Sequence, residues 1–269
     1  MKHEDHDDVT YEVIDDVAHV RLNRPDKHNA LTMDMIDHLA EAAGRAAADR
    51  SLRAVVLSGT GESFCSGLDF ASAGSDRGRV MRALIPRRRT AANVFQASAW
   101  AWRSVPVPVI AVITGHCYGG GLQIALGADF RFTAPDADFS IMEARWGLIP
   151  DMSLSASIAQ LTGIDVAKRL TMTGEVFDAE RAAGWGLVSE VSDDPHAAAT
   201  ALIDAIRQRS PDSVAATKAL FEQTWYNGSR LSFPVEQALQ VRLLTGRNHA
   251  AARKAGLARE TPRFTDRQF

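Results

Sequence analysis

The sequence predicts an α/β fold of strand, turn and helix units that gives way near residue 197 to helices alone. Three observations carry that expectation. Residues 107–113 (VPVIAVI) form an apolar run between Pro106 and Gly115. That run reads as a buried strand, followed by Gly119-Gly120-Gly121 at the head of a short apolar helix. A second apolar run, 53–59, leads into another small-residue turn, Ser63-Phe64-Cys65-Ser66-Gly67-Leu68-Asp69-Phe70. Towards the C-terminus strand-like runs stop and alanine-rich helical segments replace them.

Taken in order, residues 1–9 are charged and read as a solvated, disordered tail, with His3 and His6 among its acids. Residues 11–22 alternate about Asp15-Asp16, the pattern of a β-hairpin. Arg24-Pro25-Asp26 opens a loop, and Thr32 is placed to cap a helix with Ile36, Leu39, Ala43 and Ala47 on one face. The 53–58 strand then enters the first turn. Residues 69–100 are rich in Gly and Arg, with Arg77, Arg79, Arg82 and the run Arg87-Arg88-Arg89. Residues 91–105 read as helical, grouping Val94, Phe95, Ser98, Ala99 and Trp102. After the glycine turn, strands are expected at 128–133 and 139–140, and a helix at 153–161 after Ile149-Pro150-Asp151. Helices are expected at 196–208, 213–224, 233–245 and 250–258, several with starts marked by Pro or Ser. The chain thus divides into a tail (1–9), a core of stacked right-handed ββα units (10–196) and a helical region (197–269).

With 269 residues, 46% apolar and 23% charged, the composition is that of a globular protein with a sizeable core. A net charge of −3 gives no reason to expect nucleic acid. No apolar run approaches the roughly 20 residues of a membrane span. The N-terminus is acidic where a secretory signal is basic and then apolar, so a cytoplasmic protein is expected. Two cysteines, Cys65 and Cys117, make no disulfide framework and read as small packing residues.

A glycine turn entering a helix leaves backbone N–H groups free at the positive end of the helix dipole. Phosphate binding and stabilisation of an enolate oxygen both use such groups. Leu122-Gln123-Ile124 stands where a phosphate loop needs Gly-Lys-Ser/Thr, and the G-x-G-x-x-G spacing is absent. Two turns, each at a strand end, suit one N–H apiece aimed at one oxygen.

The residues of these turns resemble the enoyl-CoA hydratase/isomerase (crotonase) superfamily. Residues 64–70 match its F-C-x-G-x-D turn, and 115–126 match its G-x-x-x-G-G-G-x-x-x-A-L turn and helix. LNRPDKHNAL (22–31), EARWGLIPD (143–151) and DAERAAGWGLVSEV (178–191) agree in the same order. The resemblance implies a crotonase-like spiral of ββα units with a C-terminal helical trimerisation region, giving a trimer or dimer of trimers. It also implies an acyl-CoA thioester substrate, with CoA entering as part of it and no separate cofactor or metal.

Carried over by position, the oxyanion donors are the N–H groups of Leu68 and Gly120. The resemblance places substrate-binding positions at Lys27, His28, Ala30, Ser66, Gly67, Asp69, Phe70 and Gly119, and a phosphate-binding position near Arg259; Tyr118 or His116, beside the second turn, is a candidate donor to substrate or a packed wall residue. Of the two glutamates that flank the reacting carbons in the hydratases, one is Glu143; the other is replaced by Gln123. An amide orients water but does not transfer protons. Asp151, eight residues after Glu143, matches the Glu and Asp spacing of the dienoyl-CoA isomerases. It equally suits a cap for the following helix. A double-bond isomerase is therefore expected, with a hydratase using water held by Gln123 as the alternative. A non-catalytic acyl-CoA binder, or a serine peptidase built on Ser66 or Ser153 with His116, are readings of other classes.

Overall fold

The computed structural model describes residues 6–75, 77–86 and 91–269. β1 (Val9–Ile14) and β2 (Val17–Leu22) form the expected antiparallel hairpin, turning through Asp15 and Asp16 at positive φ. Short polar side chains tolerate that left-handed geometry. α1 (Met33–Ala48) starts where Thr32 Oγ1 accepts from Met35 N at 3.1 Å, and it buries Ile36, Leu39 and Ala43.

β3 (Ala54–Gly59) runs parallel to β2 and is followed by α2 (Phe70–Ser75), α3 (Arg77–Ala83) and α4 (Val94–Trp100). Next come β4 (Val109–Ile113), β5 (His116–Tyr118), α5 (Gly120–Ala125), β6 (Phe130–Thr133) and β7 (Asp138–Ser140). After them lie α6 (Leu154–Ile158), α7 (Ile164–Thr173), β8 (Val176–Asp178), α8 (Ala179–Gly184) and β9 (Glu190–Val191). One six-stranded sheet has the order β1-β2-β3-β4-β6-β9, and a three-stranded sheet has the order β5-β7-β8.

The central strand β4 is buried at every residue, as a strand covered on both faces must be. Val55, Leu57, Ala111 and Ile113 join a core with Ile36, Leu39, Phe95 and Trp102. Val56, Ile110, Val112 and Phe132 pack instead with Ala199 and Ile203 of α9 (Pro195–Arg207). The period-two alternation of β3 and β4 therefore divides their side chains between two helical layers.

α10 (Pro211–Thr224), α11 (Ser229–Leu244) and α12 (Arg247–Ala258) complete the helical region. α9 and α10 begin with proline at their first position, one to two residues before the expected starts, because proline's missing N–H costs nothing there. α11 buries no residue, and Leu231, Phe233, Val241 and Leu244 are exposed on it. No helix among the described residues is long and apolar enough to cross a membrane.

Two expectations are corrected. Residues 6–9 of the expected tail are held in the fold: His6 stacks on His38 at 3.4 Å, Asp8 lies 2.7 Å from His38 Nδ1, and Val9 is buried in β1. His3 lies outside the described residues. The Arg-rich stretch forms α2 and α3, and Arg79 pairs with Asp34 at 2.7 Å and Asp37 at 3.0 Å on α1. Arg87, Arg88 and Arg89 lie outside the described residues. α7 and α8 were not expected as helices.

Candidate active site

The two small-residue turns are stitched side by side. Cys65 pairs with Cys117 in an isolated parallel bridge: Cys65 N donates to His116 O and Tyr118 N donates to Cys65 O, each at 2.9 Å. A second bridge joins Leu31 to Leu68. Leu31 N donates to Gly67 O at 2.7 Å, and Asp69 N donates to Leu31 O at 2.9 Å. In a parallel bridge of this kind Leu31 spends its own groups on the neighbours of Leu68, so the Leu68 N–H faces away from it. Gly120 is the first residue of α5, and its N–H has no intrahelical acceptor. Gly119 precedes it at φ 51° and ψ −119°, a conformation reserved for glycine.

Glycine is also needed for the close approach of the turns. A Cβ at Gly67 would lie 3.3 Å from Tyr118 O, and one at Gly121 would lie 2.5 Å from Cys65 Cβ. Between the turns opens a cavity of about 440 Å³, lined by Gly67, Leu68, Gly119, Gly120, Gln123, Glu143 and Asp151 among others. Val80, Leu84, Phe95, Met142, Leu148 and Ile149 give it apolar walls, and the rings of Phe70 and Trp146, 4.6 Å apart, complete the lining.

Glu143 begins a 3-10 turn, Glu143–Trp146, directly after β7, and it is half-buried. Its Oε1 accepts from Gln123 Nε2 at 2.7 Å, whereas Oε2 is buried with no partner. Burial raises the Glu143 carboxyl above its ordinary range; the Gln123 bond opposes this and the Asp151 charge adds to it. Desolvation likewise raises Asp151, although this residue is exposed at the edge of the cavity. The capping reading of Asp151 fails: α6 starts after Ser153, which sits at φ 66°, and has no side-chain cap.

Of the expected substrate-binding residues, Ser66, Gly67, Phe70 and Gly119 line the cavity; Lys27, His28, Ala30, Asp69, Tyr118 and Arg259 are not among its lining residues. The 27–30 loop instead laces onto the first turn, with Ser66 N donating to His28 O at 2.9 Å and Ser66 Oγ to Lys27 O at 3.3 Å. Arg24 donates to Ala30 O and pairs with Asp69 at 3.1 Å. Asp69 also accepts from Ser72 N at 3.0 Å, and that bond, more than Arg24, holds its carboxyl below the usual range. Tyr118 donates its hydroxyl to Asp138, which also lies 2.7 Å from His116 Nδ1. Arg259 closes α12 at φ 56°. Sequence reasoning missed Met152, whose N–H donates to Gln123 Oε1 at 2.8 Å, and the Trp146 ring.

Nucleophilic chemistry has no support. Burial pushes the Cys65 thiol up to about 12 and raises Cys117 as well, so neither forms a thiolate at neutral pH. Ser66 Oγ donates to Lys27 O and Ser153 Oγ is buried with no partner, so neither serine is hydrogen-bonded to His116 as a peptidase pair requires.

A sequence profile described as enoyl-CoA hydratase/isomerase matches residues 12–267. The chain belongs to the enoyl-CoA hydratase/isomerase family. A Mycobacterium tuberculosis H37Rv protein whose name assigns it as an enoyl-CoA hydratase is 34% identical over 224 residues, covering 83% of this chain and 85% of the relative. The peroxisomal Delta(3,5)-Delta(2,4)-dienoyl-CoA isomerase of Arabidopsis thaliana is 29% identical over 254 residues, covering 85% and 90%. A crystal structure from Mycobacterium abscessus, named in the hydratase/isomerase class, superposes with a TM-score of 0.85 at 33% identity, covering 96% of this chain and 100% of that one. The fold is thus the crotonase-like spiral expected of the family. Family membership makes the chain an enzyme of the hydratase/isomerase class and leaves hydratase and isomerase relatives side by side.

Proposed function

We propose that this member of the enoyl-CoA hydratase/isomerase family shifts a carbon–carbon double bond in an acyl-CoA thioester. One observation carries the reading. Glu143 and Asp151 are the only carboxylates among the described residues lining the cavity, and Gln123 takes the place of a third. Two-carboxylate hydration in the resembling hydratases uses position 123, which here holds a group that does not titrate.

In the proposed reaction the thioester oxygen accepts from Leu68 N–H and Gly120 N–H. Ionised Glu143 takes a proton from the α carbon of a β,γ-enoyl thioester, and the electron pair enters the conjugated enolate. Protonated Asp151 returns a proton to the γ carbon as the double bond settles between α and β. The two carboxyl groups then regain their starting states by exchange with solvent. Desolvation raises both carboxyls; it favours the protonated form needed at Asp151 and opposes the ionised form needed at Glu143, which the Gln123 bond supports. Backbone donors of this kind, aimed at an oxygen in a dry site, are worth about 3–4 kcal/mol of barrier. CoA arrives as part of the substrate, and no separate cofactor enters the proposal.

Purified protein given a β,γ-enoyl-CoA is expected to produce the conjugated enone, while crotonyl-CoA is left unhydrated. Rapid loss of the crotonyl conjugation at low enzyme would instead support the hydratase reading, which the hydratase-named relatives favour. Tight binding of both thioesters without turnover would support a mere binder. The unburied apolar face of α11 supports assembly of the chain as a homotrimer or dimer of trimers, which sedimentation velocity tests.

A further inference from the structure

We infer that Gln123 is a positioning residue that holds Glu143 in one orientation and reserves a single carboxylate oxygen for the substrate. The inference rests on the proposed proton-carrying role of Glu143. Gln123 is 1% exposed, and both ends of its carboxamide are bonded within the protein. Met152 N–H donates to one end of it at 2.8 Å. Only the amide oxygen accepts such a bond, which forces the nitrogen to the other end. That nitrogen meets Glu143 Oε1 at 2.7 Å, and it meets it as a donor.

The consequence for Glu143 is asymmetric. Oε1 is occupied by Gln123, while Oε2 is buried and has no protein partner. No protein donor occupies the lone pairs of Oε2, and because that oxygen is also sealed from solvent, a bound acyl chain meets it through a small shift of the side chain about the Gln123 bond. Gln123 is also poorly placed to hold a hydrating water by its carbonyl, because the side chain is buried with its oxygen turned to Met152 and its nitrogen turned to Glu143. A glutamate at position 123 would still accept from Met152 N–H. Its second oxygen would then face Glu143 Oε1 as acceptor against acceptor, and the two carboxyls would have to share a proton. Glutamine avoids that sharing and lets Glu143 ionise singly, with Asp151 the remaining charged group acting on it.

The test uses the full-length chain labelled with carboxyl-¹³C glutamate, with the Glu143 resonance identified by its loss in Glu143→Gln. Gln123→Met removes both bonds at similar volume, and Gln123→Glu keeps the Met152 bond as a control for folding. In both variants Glu143 is expected to ionise at higher pH than in the wild type. On a β,γ-enoyl-CoA, kcat is expected to fall roughly a hundredfold in Gln123→Met with KM nearly unchanged, the scale of a misplaced catalytic group. A Glu143 titration unmoved in both variants overturns the inference, as does an unchanged kcat. A wild type that turns over no β,γ-enoyl thioester, with the titration moving as expected, sinks the isomerase reading and leaves the Gln123 support standing.

Discussion

Cys65 and Cys117 face each other across one isolated parallel bridge, and that bridge sets the Leu68 turn beside the Gly120 turn. Both thiols are buried and held protonated. The native protein is therefore expected to resist iodoacetamide at mildly alkaline pH and to react at both cysteines once unfolded. Gly121→Ala should disrupt the same contact. Its Cβ would sit 2.5 Å from Cys65 Cβ and 2.8 Å from Cys65 O, where the main chain has no room to give. The expected loss is about 1–3 kcal/mol or more of stability, read from denaturant midpoints. Gly120→Ala meets only the side-chain ends of Met152 and Leu31, so it should cost less stability.

Glu143→Gln removes the proposed proton carrier and keeps the side-chain volume. The proposal predicts a fall in kcat of about 10²–10⁴-fold, the usual worth of a general base, with acyl-CoA affinity retained. Steady-state kinetics and calorimetric titration check the two halves separately. A variant with full turnover would remove Glu143 from the chemistry.

Stability should respond to pH through the same carboxyl groups. Glu143 and Asp151 both have folded-state pKa values above their ordinary ones. A carboxyl raised in this way binds its proton more tightly in the folded chain. The stability it contributes is fully present below the unfolded pKa and is lost as pH rises through the folded one. Relative to Glu143→Gln, the wild type should therefore lose stability as pH climbs from the ordinary carboxylate range through the raised value. Denaturation midpoints measured across that window test the slope, and a constant difference contradicts it.

α10 is anchored by two largely buried ion pairs, Arg103 with Glu222 at 2.8 Å and Lys218 with Asp129. Lys218 Nζ lies 2.6 Å from Asp129 Oδ2 and donates to Trp102 O and Val107 O at 3.1 Å. Asp129 accepts in addition from Val109 N at 2.8 Å. Lys218→Met strands that carboxylate, at an expected cost of about 3–5 kcal/mol. Arg79→Ala, which breaks an exposed pair with Asp34, should cost about 1 kcal/mol or less. Thermal unfolding of the two variants side by side gives the comparison.

How far the sequence could be read depended on whether a signal was local. The apolar runs that became β3 and β4, the Thr32 cap and the glycine turn into α5 are all local, and the structure has them where they were expected. α7 escaped although Val166, Ala167 and Leu170 lie on one face against the core, because that stripe is short and the apolar Ile164 and Met172 beside it are exposed. α2 holds a glycine and small polar residues, whose weak helix propensity hid it. Ser153 at positive φ detaches Asp151 from α6, and a β-turn-like sequence there gave no sign of it. The Gln123 to Glu143 contact joins residues twenty apart through Met152, and only the folded backbone brings the three together. His6 and Asp8 were read as solvated from the charge around them, yet both meet His38, on a helix some thirty residues away.

The most direct test is a crystal structure of the Glu143→Gln variant with an unreactive acyl-CoA bound. The thioester oxygen is predicted to lie about 2.7–3.1 Å from both Leu68 N and Gly120 N, with the residue 143 side chain beside the α carbon. A carbonyl bound elsewhere in the cavity, or an α carbon out of reach of residue 143, would contradict the account.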